Sequence, residues 1–425
     1  MFAGRGEDMQ QTALIEGIHQ RFQGILGHVR TKYPERAWMY EPAAKYFELL
    51  RDDLAQGKPI AWYFFLVTPE IFRAMDVATC SPEYVGSVVS SFPEGIKRYV
   101  DVAEEKVPDY MCTVNKFTIG ALLAGDMPYP DMMIHAIGHP CDSASAIHPM
   151  LANYLKVPDF GLDTPYWDTP RSYKYFAEEL GRAVAFMEQQ TGRKMDVARL
   201  REVVENSNRA QEYVLKLAEL RKRVPCPLNG RASAMTGGAI MALAGTPFLV
   251  DWVARQYELA RARAERGEAA VANERIRVVW IWLPTFFDLG ILDWMEQKYG
   301  AVCVMDLINH YSNKPIEDLS TKEKMLEGLA HKTLDYPMGR HGRGPVDLYL
   351  RECLTLCQEY KADAAVFAGH VGCKYAWATA KVVKDAIRAE LGIPTLTFEF
   401  DAFDPRTASL DTIKERLAQF IEAIL

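Results

Sequence analysis

Two segments of this 425-residue chain share one pattern: an apolar run, a glycine, a histidine, one or two further residues, a cysteine and a helix start. The first reads DMMIHAIG-HP-CD over residues 131–142, and the second reads AAVFAG-HVG-CK over residues 364–374. Short apolar runs bounded by such loops are typical of parallel strands that helices cover on both faces. The sequence therefore predicts two parallel-sheet units, each with one strand that ends in a cysteine loop.

Alternation of strands and helices in the rest of the chain supports this prediction. Long helical patterns over 170–223 and 232–266 separate the two units. We predict an α/β fold with two flavodoxin- or Rossmann-like parallel-sheet domains and an N-terminal helical segment. The predicted boundaries are 1–55 for the helical segment, 56–225 for the first α/β domain and 226–425 for the second. Further strands are predicted at 60–67, 159–163, 277–283, 301–307 and 395–400.

Two other segments carry specific expectations. Residues 1–55 have apolar residues at helical spacing and are expected to form two or three helices, as an arm or a lid. The segment GRHGRGP at 339–345 is expected to be a flexible basic loop, with Pro345 placed at the first turn of the next helix.

The cysteines suggest a metal centre. In open parallel sheets, ligands bind at the carboxyl ends of strands. If the two domains face each other, Cys141 and Cys373 converge on one cleft. Thiolates are the usual ligands of iron–sulfur clusters, and helix N-termini favour their negative charge. Two alternatives stay open: both cysteines are buried hydrophobes under loops, or they bind zinc together with a histidine.

Charge and motifs exclude several classes. The net charge of −7 argues against a nucleic-acid binder. The sequence contains no long apolar run that predicts a membrane span, and its N-terminus lacks a signal-peptide core, so we predict a cytoplasmic location. In that reducing compartment the eight cysteines are not expected to form disulfides. The segment PIAWYFFLVTPE lacks the glycine fingerprint of a nicotinamide enzyme, and no Walker A motif is present.

The order of several segments resembles the 2-hydroxyacyl-CoA dehydratase D-component family, which includes the cluster-bearing subunits of ATP-dependent benzoyl-CoA reductase and the double-cubane cluster proteins. The resemblance runs from about residue 55 to the C-terminus. The segments that carry it are VPDYMCTVNKFTIGALLAGDMPYPDMMIHAIGHPCDSAS, RIRVVWIWLP, AAVFAGHVGCK and LGIPTLTFEFDAFDPR.

This resemblance implies that Cys112, Cys141 and Cys373 bind a [4Fe-4S] cluster. It further implies three partners: a second homologous cluster-bearing subunit in a heterodimer or homodimer, an ATP-hydrolysing iron–sulfur activator protein, and an acyl-CoA substrate. The implied activity passes low-potential electrons to the acyl-CoA thioester by a ketyl-radical mechanism, in a dehydratase or a benzoyl-CoA reductase. The alternatives are a non-catalytic electron-relay or structural subunit, and a double-cubane-type reductase of small molecules.

Three candidates for proton chemistry accompany the cysteines. His139 and His370 flank the two cysteine loops and are predicted to donate protons, or to donate hydrogen bonds to cluster sulfur. The alternative is that backbone carbonyls satisfy both rings. Glu70 follows the first strand and is a candidate catalytic carboxylate, with the alternative that it stabilises a helix start.

Basic residues near the second cysteine loop are candidates for binding the phosphates of CoA. Arg340 and Arg343 lie in the predicted basic loop, and Lys374 follows Cys373. Guanidinium groups pair well with phosphate, which is the reason for the prediction. The alternative is a solvated loop.

Overall fold

The computed structural model describes residues 12–64 and 67–425. Up to residue 221 the elements are α1 (Ala13–Lys32), a 3-10 helix (Pro34–Met39), α2 (Glu41–Ala55), β1 (Ile60–Tyr63), α3 (Glu70–Ala74), β2 (Ala78–Cys80), α4 (Pro82–Ser90), α5 (Lys97–Glu104), α6 (Thr113–Leu123), β3 (Met132–Ile137), α7 (Asp142–Leu155), β4 (Asp159–Asp163), α8 (Pro170–Thr191) and α9 (Val197–Arg221).

The second half begins with two further helices before its strands. Its elements are α10 (Gly230–Leu243), α11 (Pro247–Glu265), β5 (Ile276–Ile281), α12 (Gly290–Tyr299), β6 (Ala301–Asp306), a 3-10 helix (Leu307–Asn309), α13 (Lys322–Leu334), α14 (Pro337–Gly342), α15 (Val346–Glu359), β7 (Ala364–His370), α16 (Lys374–Trp377), α17 (Ala380–Leu391), β8 (Thr395–Phe400) and α18 (Leu410–Glu422).

The strands form two four-stranded sheets of the same design. The first has the order β2-β1-β3-β4 and the second has the order β6-β5-β7-β8, with every neighbouring pair parallel. The predicted α/β class with two parallel-sheet units is confirmed. In each sheet the cysteine loop follows the third strand, which lies beside the first strand. At that place the chain reverses its direction of winding, and open α/β sheets bind ligands there.

Burial explains why these runs form central strands. Five of the six residues of β3 are buried, and all seven residues of β7 are buried, because helices cover both faces of the sheets. β1 is shorter than the predicted 60–67 and ends at Tyr63; residues 65–66 lie outside the described residues. β2 was not predicted, because three residues are too few to show a periodicity.

The two sheets share helices across the predicted boundary at residue 225. Met325 and Leu329 of α13 belong to the hydrophobic core of the first sheet together with Leu180 of α8. α9 packs against α11, which precedes the second sheet. The chain thus returns from the second unit to cover the first, and this contact holds the two carboxyl edges in a fixed relation.

Two predictions about surface segments are wrong. The N-terminal helices are not an arm or a lid, since Ile15 and Phe47 are fully buried in the main core. Residues 339–345 are not a flexible basic loop, since α14 covers most of them and Arg343 is 1% exposed. The Arg343 guanidinium donates to the carbonyls of Leu334 and Trp167, and these partners hold the segment in place.

The length and apolar character of the helices decide whether any of them could span a membrane. Across residues 12–64 and 67–425, none of them combines the length and apolar character needed to cross a bilayer.

Candidate metal centre

Three helices begin at the same cavity, and a cysteine occupies the N-cap of each. Cys112 caps α6, Cys141 caps α7 and Cys373 caps α16. Cys112 reaches the cavity from the helix that precedes β3, whereas the other two follow β3 and β7 directly. The positive ends of helix dipoles favour negative charge, so this arrangement suits three thiolates.

Backbone amides in the first turns of these helices face the sulfur atoms. The Ala144 amide donates to Cys141 Sγ over 3.4 Å. The Ala376 amide forms the corresponding hydrogen bond with Cys373. Such donors are those that stabilise thiolates and the sulfides of iron–sulfur clusters.

The cavity between the three thiols is open to solvent and has a volume of about 100 Å³. Most of its wall is apolar, and few polar side chains compete with the thiols for a bound group. Besides the cysteines, the lining includes Met241, Leu283, Phe286, Met338 and Phe403, with Glu83, Ser87, Asn115, Asp142, His370 and Tyr375 as polar members. An apolar cavity with a few convergent polar groups is typical of a cofactor or ligand site.

Burial keeps the three thiols protonated in the absence of a cation, and neighbouring thiols add to the effect at Cys112 and Cys141. Burial raises the pKa of Cys141 to about 12 and that of Cys373 to about 11. The pKa of Cys112 is raised well above its usual value, first by burial and then by the two neighbouring thiols. Three thiolates can therefore exist here only with a positive centre between them, and its binding would release protons.

His370 is placed to hold Cys112. Its ring is fully buried, and Nε2 lies 3.3 Å from Cys112 Sγ. Nδ1 accepts a hydrogen bond from the Ala402 amide over 3.2 Å, so the proton of the neutral ring is on Nε2 and points at the sulfur. Burial lowers the pKa of His370, which favours this neutral form.

Two contacts between the units lie at Cys112 and the next residue, Thr113. The Thr113 hydroxyl donates to the Asp401 carboxylate over 2.5 Å, which joins α6 to the end of β8. Gly372 packs so closely that an added Cβ would lie 2.5 Å from Cys112 Cα. Only glycine fits there, and the close approach brings the second cysteine loop against the first unit.

We expect Gly372→Ala to loosen the centre without unfolding the chain. Overpacking at such a contact costs about 1–3 kcal/mol, and the strain falls on the Cys112 backbone. Iron loss to a chelator under anaerobic conditions should become roughly tenfold faster, because each 1.4 kcal/mol corresponds to a factor of about ten. Gly181→Ala is the control, since a Cβ there meets nothing within 4 Å. Equal rates in the two variants would contradict the prediction.

Trp282 lies at the end of β5 in an unusual conformation. Its φ of 76° is in the left-handed region, which a bulky aromatic residue rarely adopts. The side chain lines the cavity, and its buried indole N–H forms no hydrogen bond of ordinary geometry in the described part of the chain. Cys373 is the nearest acceptor, and a weak hydrogen bond from the indole acts to lower the pKa of that thiol. Backbone strain of this kind clusters at functional sites.

His139 and Lys374 are not among the described lining residues, but each contacts a side chain that lines the cavity. His139 Nδ1 lies 3.0 Å from the hydroxyl of Tyr375, so both cysteine loops contribute to this contact. Lys374 lies 3.6 Å from the Asp142 carboxylate and 5.1 Å from the centre of the Tyr110 ring. Lys374 is thus a half-exposed cation at the entrance.

Glu70 lies outside the described lining of this cavity. It is fully buried, forms an ion pair with Lys332, accepts a hydrogen bond from Ser207 over 2.6 Å and contacts the Thr68 hydroxyl. A smaller cavity beside it shares Met241 with the cysteine cavity. Its catalytic role remains a prediction.

The two predicted CoA-binding arginines bind internal partners. Arg340 forms an ion pair with Glu352 and donates to the Ser312 hydroxyl over 2.7 Å, and 23% of its side chain is exposed. Arg343 is buried against the backbone carbonyls of Leu334 and Trp167. Neither arginine belongs to the described lining of the cysteine cavity, and their contact with CoA remains a prediction.

The residues that the structure describes offer no preformed site for a single metal ion. Within the described ranges, no three histidine, cysteine, aspartate or glutamate side chains are close enough to hold one ion. A four-iron cluster takes each thiolate at a different iron, so its ligands stand apart around a volume. The three cysteines around one cavity fit that requirement, and the Trp282 indole beside Cys373 adds a donor for sulfur.

Sequence reasoning missed two residues of this site. Asp401 follows the last strand directly, and the rule that ligands gather at carboxyl ends of strands would have pointed to it. Trp282 follows β5 in the same way, and its sequence position predicts a core aromatic residue, with the wall of an acyl pocket as the alternative. Glu83 is in the first turn of a helix that was not predicted.

Comparison with known proteins identifies the family to which the sequence is similar. A family model described as 2-hydroxyglutaryl-CoA dehydratase, D-component, matches residues 65–424. The alpha subunit of lactoyl-CoA dehydratase of Anaerotignum propionicum is 22% identical over 409 residues, which cover 88% of this chain and 93% of that protein. One of the benzoyl-CoA reductase subunits of Thauera aromatica is 24% identical over 349 residues, covering 74% of this chain and 76% of that protein. The alpha subunit of (R)-2-hydroxyglutaryl-CoA dehydratase of Acidaminococcus fermentans is 21% identical over 313 residues, covering 70% and 61%.

Proposed function

Because this chain belongs to the 2-hydroxyglutaryl-CoA dehydratase D-component family, we propose that it is the iron–sulfur subunit of an acyl-CoA dehydratase or an aryl-CoA reductase. One observation supports the proposal above all. Each of Cys112, Cys141 and Cys373 caps the N-terminus of a helix, and all three line the same cavity. The cofactor we propose is a [4Fe-4S] cluster with these three cysteines as its protein ligands.

A bound cluster would supply one-electron transfer at low potential and an iron that carries no protein thiolate. The residues of the chain prepare the site for it. His370 Nε2–H donates toward Cys112, and the Trp282 indole faces Cys373. The apolar wall limits access of water, which protects a reactive reduced substrate from side reactions.

Residues at the mouth have separate roles in the proposal. His139 is hydrogen-bonded to Tyr375 and half-exposed, so it can pass a proton to a molecule that enters the cavity. Lys374 offers its ammonium group to an anion at the entrance, which suits a phosphate of CoA. Arg340 is the more accessible of the two arginines and is the second candidate for such a contact.

The names of the relatives support the proposed partners. They are called subunits of dehydratases and of a reductase, so we propose that this chain works with a second, homologous cluster-bearing subunit. An ATP-hydrolysing iron–sulfur protein would supply the electron, because the chain contains no Walker A motif of its own. A reducing cytoplasm is the compartment that we propose for such a cluster.

Anaerobic purification tests the proposal. We expect a brown protein with about four irons and four sulfides per chain and an electron paramagnetic resonance signal after reduction with Ti(III) citrate. Adding lactoyl-CoA or benzoyl-CoA to the reduced protein should change that signal if the chain binds substrate. A signal that neither thioester alters would favour the electron-relay subunit, and a protein that takes up no iron would overturn the proposal.

A further inference from the structure

Trp282 differs from the fully buried tryptophans of the described residues in the surroundings of its indole N–H. The N–H groups of Trp62, Trp252 and Trp280 each donate to a backbone carbonyl over 3.0 Å. Trp282 is only 3% exposed, yet its N–H forms no hydrogen bond of ordinary geometry with a described residue. A buried donor without a good acceptor costs free energy, so native proteins contain few of them.

The backbone of Trp282 is costly as well. Its φ of 76° lies in the left-handed region, where a bulky side chain crowds its own backbone. Two hydrogen bonds hold the surrounding turn: the Trp280 indole donates to the Leu283 carbonyl, and the Phe286 amide donates to the Ala402 carbonyl over 2.8 Å. Such strain persists only where neighbouring structure fixes it, and it is concentrated at functional sites.

This conformation places the indole in the wall of the cysteine cavity. Trp282 and Cys373 both line that cavity, and Cys373 is the nearest acceptor for the indole N–H. The ring of Tyr349 is 2% exposed and packs against the indole, with ring centres 5.8 Å apart, which limits rotation of the indole away from the cavity. The strained backbone and the poorly paired donor therefore both occur beside a cysteine that we propose as a cluster ligand.

We propose that Trp282 helps to set the reduction potential of the bound cluster by donating a hydrogen bond to the Cys373 sulfur. The inference rests on the proposed function, because it requires a cluster at Cys373. Hydrogen bonds to sulfur are among the features that set the potentials of iron–sulfur clusters. Reduction adds one electron and makes the sulfur atoms more negative, and a donor binds the more negative acceptor more strongly. Trp282 thus favours the reduced state, and no proton is transferred.

The other proposed ligands have donors of their own. His370 Nε2 lies 3.3 Å from Cys112 Sγ, and the Ala144 amide donates to Cys141 Sγ over 3.4 Å. Trp282 acts through Cys373 and is therefore a positioning residue. Losing its N–H should change the potential and leave the three thiolate ligands in place.

Trp282→Phe removes the N–H and keeps an aromatic ring that can pack against Tyr349. Trp252→Phe is the matched control. Trp252 is also fully buried, and its indole donates to the Trp38 carbonyl. It does not belong to the described lining of the cysteine cavity. Both variants should contain as much iron as the wild type.

The measurement is an anaerobic redox titration of the cluster-loaded full chain with Ti(III) citrate, followed by visible absorption and electron paramagnetic resonance. At a given solution potential, the ratio of reduced to oxidised cluster should be about tenfold lower in Trp282→Phe, a shift of about 59 mV to more negative potential for one electron. Trp252→Phe should titrate like the wild type. A loaded Trp282→Phe with the wild-type potential, or an equal shift in both variants, would overturn the inference.

A second measurement needs no variant. Wild-type protein is prepared with tryptophan that carries the heavy nitrogen isotope in its indole ring, and electron–nuclear double resonance of the reduced cluster detects nitrogen nuclei close to it. We expect a coupling to the labelled indole nitrogen. If Trp282→Phe loses its cluster, this measurement decides: the coupling supports the inference, and its absence overturns it.

Failure of the inference differs from failure of the proposed function. A wild type that takes up no iron would overturn the proposed function, and the role of Trp282 would fall with it. A loaded wild type without the nitrogen coupling would overturn the role of Trp282 alone. A merely structural role would lower the iron content of Trp282→Phe but leave the potential of its remaining clusters unchanged.

Discussion

Cys373→Ser is expected to abolish cluster binding. Serine keeps the shape of the side chain but offers no thiolate, and Cys141 and Cys112 alone hold only two corners of a cluster. Iron should fall from about four atoms per chain to nearly none after anaerobic purification and desalting, and the visible absorption of the cluster should disappear. Cys141→Ser is expected to give the same result.

Cys357→Ala is the matched control for this experiment. Cys357 is 1% exposed in α15, on the same helix face as Cys353, and it does not line the cavity in the described part of the chain. Removing its sulfur therefore affects only the packing of the protein core, and the iron content should stay at the wild-type level. A full cluster in Cys373→Ser, or an equal loss of iron in the control, would refute the assignment of the ligands.

Lys332→Met is expected to have the largest effect on stability. The variant leaves the fully buried Glu70 carboxylate without its cation. Breaking a buried ion pair by removing one partner typically costs about 3–5 kcal/mol of the free energy of unfolding. Urea unfolding followed by far-ultraviolet circular dichroism measures the loss. The double variant Glu70→Gln with Lys332→Met should recover much of it, because no charge is then buried.

The loss of stability in Lys332→Met should depend on pH in a defined direction. Burial opposes ionisation of Glu70, but Lys332 and the hydroxyl donors outweigh it and hold the pKa of Glu70 below its usual value of 4.5. A carboxyl whose pKa is lower in the folded state stabilises the fold above its unfolded pKa, and this contribution is lost as pH falls through the folded value. In Lys332→Met the sign reverses, so the loss should grow as pH rises.

A second lysine of the same helix provides the control. Lys324 forms an ion pair with Glu327 in α13, and about half of each side chain is exposed. Surface pairs of this kind contribute about 0–1 kcal/mol, so Lys324→Met should change the free energy of unfolding little. A loss below about 1 kcal/mol in Lys332→Met, comparable to that of a surface pair, would show that Glu70 does not depend on its cation.

Local patterns predicted the sheets well. The strands predicted at 159–163 and 395–400 have these bounds in the structure, and the strand predicted at 364–369 is one residue longer. The family predicted from the ordered motifs is confirmed by the match over 65–424. The convergence of Cys141 and Cys373 followed from a rule about strand ends, which depends on topology and not on details of packing.

Partners distant in sequence explain the failures. Arg343 reads as a loop residue, but its carbonyl partner at Trp167 lies 176 residues away. Lys332 is 262 residues from Glu70, so no window of sequence shows that the two charges are paired. Helix α13 was not predicted, and its buried residues, among them Met325 and Leu329, pack on the first unit. The periodicity of apolar residues in a sequence cannot predict tertiary contacts of this kind.

Both sheets repeat one strand order, and each third strand ends in a cysteine loop. Cys141 and Cys373 are thus equivalent members of an internal repeat. Cys112 has no such twin: it caps the helix before the third strand, whereas Pro345 caps the corresponding helix of the second sheet. A perfect repeat would bring thiols to the cavity in pairs. The unpaired Cys112 makes their number odd, so a molecule between the halves faces two thiols from the first unit and one from the second.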